Sequence, residues 1–207
     1  MPSEAAEQKP LAAVILSGGE SKRMGAPKAL IPYRGTTFVE HLIEITRHAR
    51  VGVTRIVVGA HADQIRAHLR KHASEIVVNS QWEEGQLSSI QAGIRSLSEC
   101  ETDGMLLCPV DHPIVSATIV ARLIEEFDSS ARPIALPTYR GKRGHPLIFR
   151  ASLYPELLAA DAGIGARQVV WAHADQICEV PTEEEGVVLN VNDPSTLERA
   201  LGMPDAG

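Results

Sequence analysis

The stretch Leu16-Ser17-Gly18-Gly19-Glu20-Ser21-Lys22-Arg23-Met24-Gly25-Ala26-Pro27-Lys28 concentrates the groups that could hold a chain of phosphates. Gly18, Gly19 and Gly25 can take backbone angles closed to other residues and let amides approach a ligand. Arg23 and Lys28 add fixed positive charge and donors suited to phosphate oxygens. The apolar run Leu11–Leu16 precedes the loop and has the length of a strand buried on both faces. A strand that empties into such a loop predicts a polyphosphate cradle. The spacing matches neither G-x-x-x-x-G-K-[ST] nor G-x-G-x-x-G, so the two common phosphate loops are excluded. The plainer alternative is a flexible surface loop whose cations are merely solvated.

A carboxylate ends another apolar run, where Asp111 follows Leu106-Leu107-Cys108-Pro109-Val110. Asp before His112-Pro113 could form a turn or cap. It could also hold Mg2+, a hard cation that takes carboxylate oxygen together with substrate phosphates, and the nearby cradle favours that reading. Gly85-Gln86-Leu87-Ser88-Ser89 precedes a helical pattern, so its amides and hydroxyls face an open helix N-terminus, for capping or for ligand contact. Arg140, Lys142 and Arg143 read as a solvated hairpin. His61, His68 and His72 could share a helix face, but no third ligand or pocket accompanies the His68/His72 spacing, and a partly exposed face is expected. No G-x-S-x-G nucleophile loop is present.

These groups lie far apart in the chain, and the hydrophobic periodicity says what must bring them together. Thr37 and Glu40 form a capping box ahead of Phe38, Leu42, Ile45 and Ala49 at helical spacing. Strands are expected over 53–58, 75–78, 105–110, 134–137, 146–149, 177–180 and 187–190. Helical stripes fall between them: Ile65 and Leu69, Ile90 to Leu97, Val120 to Phe127 behind a Ser116 cap, 153–160, 166–172, and a last helix opened by Asp193-Pro194. The alternation predicts an α/β fold with a mostly parallel sheet and helices on both faces. In such sheets ligands bind beyond the carboxyl ends of the strands. The cradle, the 79–89 segment and Asp111 should therefore meet at one rim. Residues 1–9 read as a disordered tail and 10–207 as one domain, with no internal repeat.

Bulk properties narrow the class. A chain of 207 residues with 44% hydrophobic content suits one globular domain. The net charge of -6 argues against a nucleic-acid partner, while leaving room for a basic pocket that binds one small anion. Cys100, Cys108 and Cys178 are widely spaced, which favours a reducing compartment over disulfides or structural zinc. Met1 to Pro10 is polar and no apolar stretch approaches the roughly 20 residues of a membrane span, so no secretory signal or membrane anchor is expected and the protein reads as cytoplasmic.

L-S-G-G-x-S-x-R-M-G-x-x-K resembles the signature loop of the MobA-like nucleotidyltransferases, which include enzymes that attach GMP or CMP to the molybdenum cofactor. The resemblance implies a Rossmann-like three-layer fold, a nucleoside triphosphate, magnesium, and release of pyrophosphate. On it, Leu16, Ser17, Gly18, Gly19, Arg23 and Lys28 would bind nucleotide, with Arg23, Lys28 and Asp111 catalytic. Asp111-His112-Pro113 matches the family's D-x-P element at the metal, and Val191-Asn192 resembles its late N-x-N or D-x-D element, making Asn192 a second metal candidate and Asn190 an outside one. Asn79, Gly85, Ser88 and Ser89 would hold base and ribose, with the Asn79 amide suited to a base edge. Gly144-His145-Pro146, together with the basic turn Arg140 to Arg143 before it where that is not merely solvated, and Gly163-Ile164-Gly165-Ala166-Arg167 look like acceptor-side loops, which makes His145 an acceptor contact. The implied activity is transfer of CMP or GMP to a phosphate of a small acceptor of molybdopterin type. CTP is preferred because the 85–89 and 144–146 loops are cytidylyl-like, although Leu16-Ser17-Gly18-Gly19 is closer to the guanylyl type. A sugar-phosphate acceptor, or a nucleotide-binding module without turnover, are the rivals.

Overall fold

A computed structural model describes residues 8–203. The expected tail therefore lies largely outside the described residues. In chain order the elements are β1 (Leu11–Ser17), a hairpin of β2 (Pro32–Tyr33) and β3 (Thr36–Thr37), α1 (Phe38–Ile45), β4 (Val51–Val58), α2 (Ala62–His68), β5 (Ile76–Val78), α3 (Gln86–Arg95) and β6 (Gly104–Pro109). There follow α4 (Ala117–Ser129), β7 (Ile134–Tyr139), β8 (Lys142–Arg143), β9 (Leu147–Arg150), α5 (Tyr154–Ala159), α6 (Arg167–Ala172), β10 (Ile177–Pro181) and α7 (Pro194–Leu201).

Apart from β2 and β3, which form a two-stranded sheet of their own, the strands form one sheet in the order β10-β7-β9-β6-β1-β4-β5, with β8 paired to β7. β1 runs parallel to both β4 and β6, β4 to β5, and β7 to β10. Only β9, among these long neighbours, is antiparallel, and it lies between β6 and β7. Central position explains why every residue of β1 is buried and why its sequence up to Leu16 is apolar rather than alternating.

The two faces of β1 enter different cores. Leu11 and Ile15 pack with Leu42, Leu123 and Phe127 from α1 and α4. Ala12, Val14 and Leu16 pack with Ile90, Ile94, Leu157 and Val169 from α3, α5 and α6. Each such side chain contributes about 1.5–3 kcal/mol by leaving water. Helix α3 rides unusually close, because a Cβ at Gly93 would stand 2.7 Å from Val14 Cγ1. A third cluster ties Tyr33 and Phe38 to Ile114, Leu189, Val191 and Ala200, which fastens the C-terminal segment beside the cradle.

Local signals behave as their chemistry requires. Glu40 Oε2 accepts from the Thr37 amide at 3.1 Å and hydroxyl at 2.7 Å. Ser116 Oγ accepts from the Ile119 amide at 3.1 Å, and Asp193 Oδ1 from Thr196 at 2.9 Å. Helix α1 stops at Ile45, short of Ala49, where the Thr46 hydroxyl donates back to Leu42 O and Ile43 O. The strand expected over 187–190 is not formed. Glu185–Val188 is a 3-10 turn instead, pressed so closely on Ile114 that a Cβ at Gly186 would lie 1.7 Å from its carbonyl oxygen. Val187, Leu189 and Val191 are buried as a strand's would be, but the recorded bonds from this stretch to other parts of the chain are single ones, such as His145 N to Val187 O and Val191 N to Asp111 O.

Candidate active site

Adjacent parallel strands bring the cradle and the acidic loop to one rim. Leu16 pairs with Pro109 across β1 and β6, and the Val110 amide donates to Leu16 O at 2.9 Å. The chain thus leaves both strands side by side, and a cavity of about 440 Å³ opens there. Leu16, Ser17, Gly18, Gly19, Arg23, Lys28, Gly85, Ser89, Asp111 and Asn192 all line it. Lys28 and Asp111 therefore face a common space.

The cradle is shaped by its own short-range bonds. Ser21 takes a left-handed conformation at φ 55°; its carbonyl accepts from Met24 N at 2.9 Å and its hydroxyl from Lys28 N at 3.1 Å. At Gly18 a Cβ would stand 2.7 Å from Ser89 Oγ, so glycine is what allows α3 to close against the loop. The Lys28 Nζ donates to Asn192 Oδ1 at 2.5 Å. Burial lowers the Lys28 ammonium from its ordinary pKa, with Asp111 opposing and Arg23 reinforcing the shift.

Asn192, expected at a metal, thus has its amide oxygen on the lysine. Asn190 is the residue that touches Asp111, its Nδ2 donating to Oδ2 at 3.0 Å. The Val191 amide between them donates to the Asp111 carbonyl at 2.7 Å. Alternate residues of one extended segment therefore reach the cation and the carboxylate, as the alternation of side chains along an extended backbone dictates.

Asn79 and Ser88 do not line the cavity. Asn79 is buried, with Nδ2 donating to Ser88 Oγ at 2.9 Å and Ser89 Oγ at 3.1 Å, while Oδ1 accepts from Gln81 N at 3.0 Å. Both ends of the amide are engaged within this segment. Ser88 is likewise turned inward, its hydroxyl donating to Gln81 O and Gly85 O, each at 2.8 Å. These two residues hold the loop that carries Gly85 and Ser89.

A second cavity, also about 440 Å³, lies on the α3 side and shares Gln86 with the first. Leu107, Leu136, Leu147 and Phe149 give it an apolar floor, and Arg143, His145, Gly163 and Arg167 stand around it. The two loops singled out as acceptor-side thus converge. The His145 ring lies against His112, centroids 4.4 Å apart, which links this cavity to the residue after Asp111. Burial, then the neighbouring His112, pushes His145 down to about 4, and burial also lowers His112. The His145 imidazole is therefore uncharged at neutral pH.

The histidines of the α2 region separate rather than converge. His61 Nε2 meets Glu20 O at 2.9 Å, His68 Nε2 meets Glu40 at 3.2 Å, and His72 Nδ1 meets Glu75 at 2.8 Å. Among the described residues no group of three or more His, Cys, Asp or Glu could hold a metal. Magnesium does not need one, since it takes one or two protein carboxylates plus waters and substrate phosphates. The Asp111 carboxylate on the cavity and the buried, unpartnered Asn190 Oδ1 are hard oxygens that fit such an ion. The cavity wall also includes His61, Ile65 and Trp82, which the sequence reading did not place there. Trp82 carried a signal, being one of 2 tryptophans and sitting in a loop after a strand; His61 carried none.

Among the described residues no helix is long and apolar enough to cross a membrane. The thiols of Cys100, Cys108 and Cys178 are all free. Residues 13–177 match the MobA-like NTP transferase domain. A nicotine blue oxidoreductase from Paenarthrobacter nicotinovorans is 36% identical over 169 residues, covering 76% of this chain and 82% of that protein. A molybdenum cofactor guanylyltransferase from Cupriavidus pinatubonensis is 28% identical over 188 residues, covering 86% and 90%. In three dimensions the crystal structure of Rv0371c from Mycobacterium tuberculosis superposes with a TM-score of 0.81 at 23% identity, over 94% of this chain and 100% of that one; that protein has also been crystallised with manganese. With the cradle, the parallel sheet and the family match all in agreement, the chain belongs to the MobA-like NTP transferase family.

Proposed function

We propose that the protein transfers CMP or GMP from a nucleoside triphosphate to a phosphate of a small acceptor of molybdopterin type. The observation that carries this reading is that Lys28 and Asp111 line one cavity together with the glycine-rich cradle. The triphosphate lies in the first cavity, its β and γ phosphates held by Arg23 and the loop amides. The acceptor lies in the second, with its ring system on the Phe149 floor and His145, Arg143 and Arg167 at its polar edge. Gln86, common to both, stands where the two substrates meet.

An acceptor phosphate oxygen attacks the α-phosphorus, the bond to the α–β bridging oxygen breaks, and pyrophosphate leaves in line. Lys28 offsets the negative charge that accumulates between donor and acceptor, and Asn192 holds its ammonium in place. Mg2+ held by Asp111 would neutralise further phosphate charge. No covalent intermediate on the protein is needed.

Pyrophosphate release from CTP or GTP, with magnesium and molybdopterin, tests the reading. Release that depends on the acceptor supports it; tight triphosphate binding without release would leave a binding module. The guanylyl name of the relative and the cytidylyl-like loops of this chain point to different bases. A thermal-shift panel of four triphosphates resolves this, since about 2.7 kcal/mol of stabilisation is expected at a hundredfold the Kd. The 36% identity to a nicotine blue oxidoreductase favours a second reading, redox turnover. Redox turnover of nicotine blue with an added electron donor or acceptor, and no pyrophosphate release, would replace the transferase assignment.

A further inference from the structure

No residue of the cradle tip, 19–27, is buried. Met24 packs, partly buried, against the third cluster, and hydrogen bonds supply the rest of the tip's anchorage. The Gly59-Ala60-His61 turn between β4 and α2 supplies one to the tip and one to Gly18 just before it. Ala60 N donates to Gly18 O at 3.2 Å, and His61 Nε2 bonds Glu20 O at 2.9 Å. Among the described residues, His61 makes the hydrogen bond that reaches the tip from another element of the fold.

The geometry of the peptide unit gives these bonds a consequence. In a trans peptide the carbonyl of one residue and the N–H of the next point in opposite directions. Drawing Gly18 O and Glu20 O toward the turn therefore directs the amides of Gly19 and Ser21 away from it. Neither amide donates to another group among the described residues, and both residues line the first cavity. Because Ser21 sits at a positive φ without being glycine, its conformation needs an outside constraint.

We infer that His61 is a positioning residue for the cradle: its bond to Glu20 fixes the Glu20–Ser21 peptide so that the Ser21 amide meets the triphosphate. This rests on the reading of the first cavity as the nucleotide site. The ring need not touch substrate, and the imidazole matters as an N–H donor at the right reach. Replacing it by an amide donor should preserve the effect, and removing the donor should not.

The test compares wild type, His61→Gln and His61→Ala by calorimetric binding of CTP, GTP and pyrophosphate with magnesium, by steady-state kinetics, and by limited trypsin cleavage after Lys22 and Arg23. For His61→Ala, Kd and triphosphate KM should rise about tenfold, as for loss of one useful hydrogen bond. Its kcat should stay within about twofold, and cleavage at the tip should quicken severalfold. His61→Gln should recover most of the affinity and the protease resistance. Wild-type-like affinity and cleavage in His61→Ala would overturn the inference while leaving the nucleotide site intact. Equal losses in both variants, with a lowered Tm, would overturn it in favour of a general folding role. A wild type that binds neither triphosphate nor pyrophosphate would instead remove the nucleotide reading itself, and this inference with it.

Discussion

The two cavities have the same volume, about 440 Å³, and opposite construction. The first takes most of its charge-handling groups from one continuous loop, with Asp111 and Asn192 brought in from elsewhere. The second is assembled from side chains of α3, β6, β7, β8, β9 and α6, from Gly144 and His145, and from the 162–166 loop. With the triphosphate in the first cavity and the acceptor in the second, as proposed, the difference follows from what each must hold. Phosphates are met by main-chain amides, which every residue of a loop supplies, so a contiguous stretch suffices. An acceptor ring system is met by apolar surface, which only side chains can offer, so its site depends on the whole sheet. Phosphate binding should thus resist change in the second cavity, and acceptor choice should tolerate change in the first.

The sharpest way to break this contrast is Lys28→Ala. We expect kcat for pyrophosphate release to fall by on the order of 10²–10³, about 3–4 kcal/mol of transition-state stabilisation, with circular dichroism and Tm unchanged. Adding Asn192→Ala to it should cost little more, because the two act as one unit. Additive losses in that double variant would give Asn192 a separate task, such as the metal. Next comes Asn79→Ala, which strips hydrogen bonds from Ser88, Ser89 and Gln81 and should cost about 1–3 kcal/mol in chemical denaturation. It should weaken triphosphate binding through the loop, with no preference between bases. A base-selective loss would return Asn79 to base reading.

Arg167→Ala probes the other cavity. It should raise acceptor KM about tenfold, roughly 1.4 kcal/mol, without altering triphosphate Kd; movement of both constants would erase the distinction. The smallest effect is expected at Glu40, remote from both sites. The Thr37 hydrogen bond, foremost, holds its carboxyl down to about 2. A depressed carboxylate stabilises the fold above its unfolded value of about 4.3, and that stabilisation drains away as pH falls from there through about 2. Glu40→Gln should flatten this part of the stability–pH profile, measured by denaturant melts between about pH 5 and pH 2, with kcat unaffected.

Much of the molecule could be read from residues in a row. The uniformly apolar Leu11–Leu16 run announced a central strand, and Thr37/Glu40, Ser116 and Asp193-Pro194 announced helix starts, because caps and buried strands are local physics. The cradle was legible for the same reason. Where the sequence misled, a contact from far away had intervened. Val187, Leu189 and Val191 alternate like a strand, yet Gly186 is pinned on Ile114. The Asn79 amide reads as open in the sequence, and the fold engages it from two places: the α3 serines accept from Nδ2 while Gln81 N donates to Oδ1. His61 looked like one more exposed helix residue, until β4 set it beside Glu20.

By itself, then, the order of amino acids determined the strand–loop cradle, the parallel α/β plan and the carboxylate at the end of β6. Only the tertiary structure decided that Asn192 faces Lys28 while Asn190 faces Asp111, and that the 144–146 and 163–167 loops share a cavity. The reason is that capping, strand burial and backbone phosphate binding operate over a few residues. Pairing between groups scores of positions apart is set by strand order and by the packing of helices on the sheet, neither of which any local window contains.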